Sequence, residues 1–313
     1  MRVMLAVMMT AMIILPIQAS AATGQFWDHA RYDSDGVQVD GGTIGFTTQW
    51  NLSADNNTEK TYSYHVDDMP TLVEIYTATW CTNCVTTQNI MNEAIGDSDV
   101  ELIHYHRHWF EPRDPFGSNS TEERWTTTYG HAVTLNGGAP RLAPTKVVDG
   151  ERMHYGSRSN SDSLMDDYTA SLSMEETVSL SGNLSLNVSQ AANTMYFEWD
   201  LSSLSIYTEA EYSLDPWILL IEEEAYFPDG SNGLEIYEHI LLEAIPLEPS
   251  GDGISSSELI LPQLWDGDDL KVAILVDWIV EKSPSQSPLP APGIVLLLSS
   301  LVAMAYVRQP RLP

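Results

Sequence analysis

Two cysteines separated by two residues carry the clearest chemical signal in this sequence. Cys81 and Cys84 are the only cysteines among the 313 residues, so each can bond to the other, to another chain or to a metal ion. A buried strand is predicted just before them, and apolar residues at helical spacing follow them. The pair should therefore begin a helix, where unpaired backbone N–H groups and the helix dipole stabilise a thiolate. This predicts thiol–disulfide exchange, with an inert disulfide as the alternative.

Three histidines alternate a little further along the chain. His104, His106 and His108 would share one face of a strand, because successive side chains of a strand point to opposite faces. Since the strand should run parallel to the strand before the cysteines, His106 or His108 could approach Cys81. The histidines could support redox chemistry as a proton relay, or bind copper or zinc together with cysteine. A polar strand face without chemical function is the third interpretation, and we expect no other cofactor.

The segment around these residues alternates strands and helices. The pattern predicts strands and helices in the order strand, helix, strand, helix, strand, turn, strand, helix, with Asp149-Gly150 as the turn. The predicted ranges are 72–77, 84–95, 100–109, 120–133, 142–155 for the strand pair, and 161–172.

This order resembles the thioredoxin-like superfamily. The resemblance depends on Trp80-Cys-Thr-Asn-Cys84 at a strand-to-helix junction, on Ala143-Pro144-Thr145 and on the hairpin turn that follows. The chain also resembles a little-characterised secreted thioredoxin-like family, through a Glu74-containing strand before the cysteines, His106, Trp109, Asp114-Pro-Phe116 and the Pro144 segment.

The resemblance implies roles for individual residues. Cys81 would be the exposed nucleophile and Cys84 the buried resolving thiol, with a disulfide between them in the oxidised state. Pro144 would be in the cis form against the pair. Glu74 would be the buried acid that moves protons for the resolving cysteine if burial raises its pKa, or else a solvated edge residue.

The resemblance also bears on substrate binding and on the direction of exchange. Substrate binding is assigned to Trp80, Ala143 and Thr145. The spacer Thr82-Asn83 differs from the Gly-Pro of ordinary thioredoxins, which leaves the direction of exchange open.

The later part of the chain changes character. Short alternating strands separated by turns predict an antiparallel sandwich of immunoglobulin-like type. The predicted fold class is thus an α/β thioredoxin-like domain, an all-β sandwich and one C-terminal transmembrane helix. The predicted divisions are a signal peptide 1–21, an acidic extension 22–69, the α/β domain 70–173, the sandwich 174–281, a Pro/Ser linker 282–292 and an anchor with a basic tail 293–313.

Charge and termini restrict location and partners. A net charge of -30 disfavours nucleic acid, because phosphate binding needs clustered Lys and Arg. The apolar run 289–307 is at the short end of the length that spans a membrane. With the basic residues after it, the run resembles the sorting tags of some prokaryotic surface proteins. We therefore expect an exported, membrane-tethered protein at the cell surface, with protein thiols or disulfides and an unknown redox protein as partners.

Overall fold

The computed structural model describes residues 26–52, 59–174, 179–248, 254–267 and 269–281. Its helices are α1 (Thr82–Ile95), α2 (Asn119–Trp125), α3 (His131–Leu135) and α4 (Leu164–Leu172), with a 3-10 turn at Val66–Asp68 and a π-helical turn at Thr126–Gly130 that joins α2 to α3. Its strands are β1 (Asp28–His29), β2 (Gly41–Asn51), β3 (Glu59–His65), β4 (Thr71–Thr77), β5 (Val100–His106), β6 (Thr145–Val148), β7 (Arg152–Tyr155), β8 (Leu180–Ser181), β9 (Asn183–Ala191), β10 (Thr194–Asp200), β11 (Ser205–Ile206), β12 (Tyr212–Tyr226), β13 (Ile236–Pro246), β14 (Ile254–Ile260) and β15 (Asp269–Val280).

One mixed sheet runs through most of the molecule. Its nine strands lie in the order β1-β7-β6-β4-β5-β13-β12-β15-β2. The pairs β4–β5 and β5–β13 are parallel, and the remaining neighbours are antiparallel. Strands from the beginning, the middle and the end of the chain therefore share one hydrogen-bonded layer.

Strand β4 is buried on both faces, which explains its near-continuous apolar sequence. Val73 and Ile75 pack with Met91 of α1 and with α4. Leu72 and Tyr76 face the opposite way, into a core formed with the α2–α3 segment. The strand thus separates two different layers of side chains.

The hairpin β6–β7 lies beside β4. Asp149 and Gly150 are the first two residues of its three-residue connection, with φ of 49° and 67°, left-handed values that Asp and Gly tolerate. The sequence predicted this turn. The hairpin matters for the site because β6 begins directly after Pro144.

A second sheet covers the other half of the large one. Its four strands are ordered β14-β10-β9-β3. Alternating apolar residues of β9 and β10 pack on β2, β12 and β15, forming the largest core of the described residues.

The predicted fold class is wrong. The prediction separated an α/β thioredoxin-like domain from an all-β sandwich, whereas β12, β13 and β15 continue the sheet that contains β4 and β5. The physical reason is that β12 and β15 are buried on both faces. Ile218 and Leu220 face the second sheet, while Leu219 and Ile221 face the core beneath α2 and α3. Strands buried on both faces belong to a sheet that is covered on both sides. In the predicted sandwich, each sheet would have one face in solvent.

The predicted terminal segments, the signal 1–21 and the membrane span 289–307, lie outside the described residues. Within the described ranges, no helix has the length and apolar character needed to cross a membrane. The domain boundaries along the chain stay predictions.

Candidate functional site

Cys81 and Cys84 form a disulfide at the start of α1, with an S–S distance of 2.00 Å. Cys81 is the N-cap residue, and the backbone N–H of Cys84 donates a hydrogen bond to Cys81 Sγ at 3.1 Å. A sulfur that accepts an N–H bond at a helix N-terminus is stabilised as a thiolate. Each cysteine is 5% exposed, so exposure does not distinguish a nucleophile from a resolving residue.

The Ala143–Pro144 peptide bond is cis. Ala143 and Trp80 pack against the cluster formed by Ala78 and the two cysteines. The next residue, Thr145, is buried and its hydroxyl donates to the carbonyl of Leu142 at 2.7 Å. Of the three residues predicted to bind substrate, Trp80 and Ala143 therefore lie at the disulfide. The Thr145 hydroxyl instead makes a hydrogen bond to the carbonyl of Leu142, in the segment just before it.

Glu74 is buried, but it lies on the face of β4 opposite to α1. Its carboxylate accepts hydrogen bonds from the Tyr105 and Tyr129 hydroxyls and pairs with Arg124 at 3.3 Å. Tyr105 and Tyr129 belong to the core beneath α2 and α3, whereas the cysteines form a separate cluster. The structure therefore does not bring Glu74 to the cysteines. Glu74 is neither a solvated edge residue nor an acid beside the resolving cysteine.

His104 and His106 do reach the cysteine side of the sheet. Both line a cavity of about 260 Å³ between α1 and the β12–β13 connection, and Cys84 lines the same cavity. His108 follows the end of β5, and its backbone N–H donates to Glu122 at 2.6 Å. The cavity therefore has two of the three predicted histidines, and His108 is not among its lining residues.

His106 is oriented by a buried carboxylate. Its Nδ1 lies 3.0 Å from both oxygens of Asp114, and the side chains of His106 and Asp114 are 2% and 0% exposed. Asp114 also accepts the backbone N–H of Thr79 at 2.9 Å, in the loop before Cys81. Because a carboxylate accepts hydrogen bonds, Nδ1 carries a proton, and Nε2 is the atom left to exchange one.

His104 is fixed differently. Its Nδ1 lies 2.6 Å from the carbonyl oxygen of Glu238, so Nδ1 is the donor. Burial lowers the pKa of His104 well below its ordinary value, and the neighbouring His239 lowers it further. His104 is therefore a neutral wall of the cavity at physiological pH.

A buried lysine behind Cys84 was missed by the sequence analysis. Lys146 Nζ donates to the Thr87 hydroxyl at 2.7 Å, and that hydroxyl donates to the Cys84 carbonyl at 3.1 Å. Lys146 is 1% exposed, and burial lowers its pKa to about 7. In the sequence, the feature that could have indicated this residue is a lysine inside the apolar strand Thr-Lys-Val-Val. In the structure, Lys146 pairs with Ile75, which faces α1.

A metal site has no geometric support in the part of the chain that the structure describes. There, no three His, Cys, Asp or Glu side chains are grouped so that they could hold a metal ion. The copper or zinc interpretation stays a prediction from sequence.

Comparison with known proteins gives no family. The sequence matches no protein-family model and no curated protein. The similar solved structures include HBP35 of Porphyromonas gingivalis, with 15% identity, 71% of this chain and 77% of that chain covered and a TM-score of 0.41. They also include a protein of Agrobacterium tumefaciens, with 14% identity, 69% of this chain and 96% of that chain covered and a TM-score of 0.37. Similarity at this level carries no argument about fold or activity.

Proposed function

We propose that this protein is a thiol–disulfide oxidoreductase that acts on protein cysteines. The observation that supports the proposal most is the disulfide at the start of α1, with Ala143 and Trp80 packed beside it. A two-residue spacer lets one sulfur form a mixed disulfide while the other resolves it. Membership of the thioredoxin-like superfamily is part of the proposal and depends on the residues 80–84 and 143–145.

The reaction transfers two electrons between the pair and a substrate. In one direction, a substrate thiolate attacks Cys81 Sγ, the Cys81–Cys84 bond breaks and Cys84 leaves as a thiolate. A second substrate thiolate then attacks the substrate sulfur of the mixed disulfide, which releases an oxidised substrate and the reduced pair. The reverse sequence reduces a substrate disulfide, with Cys81 as the attacking thiolate and Cys84 as the resolving one.

His106 handles the proton of Cys84 in this proposal. Both residues line one cavity, and the bond to Asp114 leaves Nε2 of His106 as the exchanging atom. Proton transfer to Nε2 assists formation of the Cys84 thiolate, and return of the proton quenches it. Glu74 has no part in this step because it lies on the opposite face of β4.

The proposal retains the expected location. The predicted signal and the predicted C-terminal span imply an exported protein held at the extracytoplasmic surface of a membrane, where disulfides persist. Protein substrates and a redox partner would meet it there.

The test is turnover of a disulfide-bonded protein by the reduced full-length chain. We expect turnover for the unaltered protein and none above background for Cys81→Ser. Cys84→Ser should instead accumulate a mixed disulfide with substrate, detectable by mass spectrometry. Equal turnover by the unaltered chain and Cys81→Ser would contradict the proposal.

A second candidate is a surface binding or assembly protein in which the disulfide is inert. The observation in its favour is that each cysteine exposes only 5% of its surface. The two candidates differ in the pKa of the reduced thiols. Rapid alkylation at pH 6 after mild reduction supports the oxidoreductase, and slow alkylation that follows an ordinary thiol pKa supports the binding protein.

A further inference from the structure

The cavity beside the disulfide is lined by one cysteine of the pair only. Cys84 is among its lining residues and Cys81 is not. Both cysteines belong to the cluster to which Ala143 and Trp80 are packed, so the cavity alone distinguishes them. A compound in the cavity would therefore meet Cys84.

The cavity is suited to a small ligand. Its volume is about 260 Å³, below the range of roughly 300–1,000 Å³ of pockets that hold drug-sized molecules. Its walls are α1 from Cys84 to Asn92, the ends of β4 and β5, and the facing ends of β12 and β13 with the connection between them. A loop of a folded protein would not fit, whereas a thiol of a few heavy atoms would.

The carboxylates that line the cavity favour a cation. Glu224 and Glu238 are among the lining residues, and none of the described lining residues is a lysine or arginine. The other polar lining residues include four with side-chain amides, Gln88, Asn89, Asn92 and Asn232. The net charge of the whole chain, -30, adds to the same preference.

The polar groups needed for exchange at Cys84 are also present. His106 lines the cavity with Nδ1 held by Asp114, so Nε2 can accept a proton from an entering thiol. Cys81 Sγ already accepts the backbone N–H of Cys84 at 3.1 Å, which makes Cys81 the better leaving group when Cys84 is attacked.

We propose that this cavity binds a small cationic aminothiol, and that this compound supplies electrons to the pair by exchange at Cys84. The inference rests on the proposed oxidoreductase function and names the chemical class of its redox partner. The protein substrate would then meet Cys81 beside Ala143–Pro144, and the small thiol would meet Cys84 from the other side.

The steps balance with two aminothiols. The first attacks Cys84 Sγ, its proton passes to His106 Nε2, and the S–S bond breaks to leave Cys81 as a thiolate. The second attacks the aminothiol sulfur of the mixed disulfide and displaces Cys84, which takes the proton from His106. The proton of the second thiol passes to Cys81. The products are one aminothiol disulfide and the dithiol pair, which has gained two electrons.

The experiment measures how fast a single cysteine thiolate attacks a small disulfide, which is the reverse of the second step. It uses full-length, reduced variants that each retain one cysteine. Cys81→Ser retains only Cys84, and Cys84→Ser retains only Cys81. Each is mixed with cystamine, which is cationic, or with dithiodiglycolate, which is anionic, and the rate of mixed-disulfide formation is followed by mass spectrometry. For each cysteine we take the ratio of the cystamine rate to the dithiodiglycolate rate. We expect this ratio to be roughly tenfold higher at Cys84 than at Cys81.

The carboxylates provide the matched control. In the Cys81→Ser background, Glu224→Gln with Glu238→Gln should remove most of the preference for cystamine. Glu209→Gln with Glu235→Gln changes the net charge equally at exposed residues that do not line the cavity, and should retain the preference. Equal ratios at Cys81 and Cys84, or equal effects of the two double variants, would overturn the inference.

A parallel measurement separates this inference from the function on which it rests. Turnover of a protein disulfide by the unaltered chain is measured alongside. Its absence would overturn the oxidoreductase function, whereas turnover without a cation preference at Cys84 would overturn only the role assigned to the cavity.

Discussion

The two faces of β4 bury ionisable groups in opposite ways. On the face toward α2, Glu74 and Arg124 belong to a network in which each charge has an opposite charge beside it. On the face toward α1, Lys146 is as deeply buried, but its hydrogen-bond acceptor is the neutral hydroxyl of Thr87. Paired buried charges stabilise a particular arrangement, whereas an unpaired one has a shifted pKa and is a candidate for chemistry.

The paired face connects distant parts of the chain. Arg124 donates to Asp277 at 2.7 Å, and Arg31 donates to the other oxygen of Asp277 at 2.8 Å. Burial alone would raise the pKa of Asp277, but the charges of Arg124 and Arg31 outweigh burial and hold the pKa well below its usual range. This network therefore holds α2, β15 and the N-terminal segment together, and it has no exposed group to offer a substrate.

Loss of Arg124 should have the largest effect. Arg124→Met would leave the Glu74 and Asp277 carboxylates buried beside one cation fewer, and we expect the free energy of unfolding to fall by about 3–5 kcal/mol. Arg113→Met is the matched control, since the Arg113 side chain is 74% exposed and lies 4.0 Å from its carboxylate partner. The control should stay within about 0.5 kcal/mol of the parent in urea denaturation. A similar small change in both variants would remove the contrast between the two faces.

Replacement of Lys146 should act in the opposite direction. The folded protein holds the pKa of Lys146 at about 7, and the unfolded value is 10.5, so the unfolded chain binds more protons between these values. The stability of the parent should therefore rise as pH increases from about 7 toward 10. Lys146→Met removes the cost of a buried charge and should stabilise the protein by about 1–4 kcal/mol at pH 6.

The advantage of Lys146→Met should shrink as pH increases, because the parent loses its buried charge while the variant does not titrate there. Denaturation at pH 6, 8 and 9.5 measures this difference. A variant that is less stable than the parent at every pH would mean that Lys146 is a structural partner like Arg124.

Removal of the Thr87 hydroxyl should have the smallest effect. Thr87→Val leaves the Lys146 amine without its acceptor, and we expect a loss of about 1–2 kcal/mol at pH 6. Thr86→Val is the neighbouring control, because Thr86 is exposed and its hydroxyl lies 3.5 Å from the Thr82 carbonyl. Equal losses for the two valines would show that the hydroxyl of Thr87 contributes nothing specific to the lysine.

Local features of the site could be predicted from the sequence. The strand before Cys81, the helix after it and the Asp149-Gly150 turn depend on apolar spacing and turn chemistry within a few residues, and the structure has all three. The face on which Glu74 lies could not be predicted reliably, since a strand buried on both sides has no polar face to fix its orientation.

Long-range features could not be predicted. The pairing of β5 with β13 joins His104 to Ile240, and the pairing of Arg31 with Asp277 spans most of the chain. Neither has a local sequence signal. The separate sandwich was predicted because its strands alternate, but alternation in β9 and β10 says nothing about which sheet β12 and β15 join.

The parallel pairing of β5 with β13 also sets an order of assembly. During synthesis the cysteines, β5 and Pro144 emerge well before β12 and β13, which supply the far wall of the cavity. Until then β5 is an open edge whose unpaired N–H and C=O groups can bind another chain. The disulfide can therefore form in a nascent chain that has no finished cavity, and the proposed selectivity for a small thiol can arise only after residues 224–238 have been made.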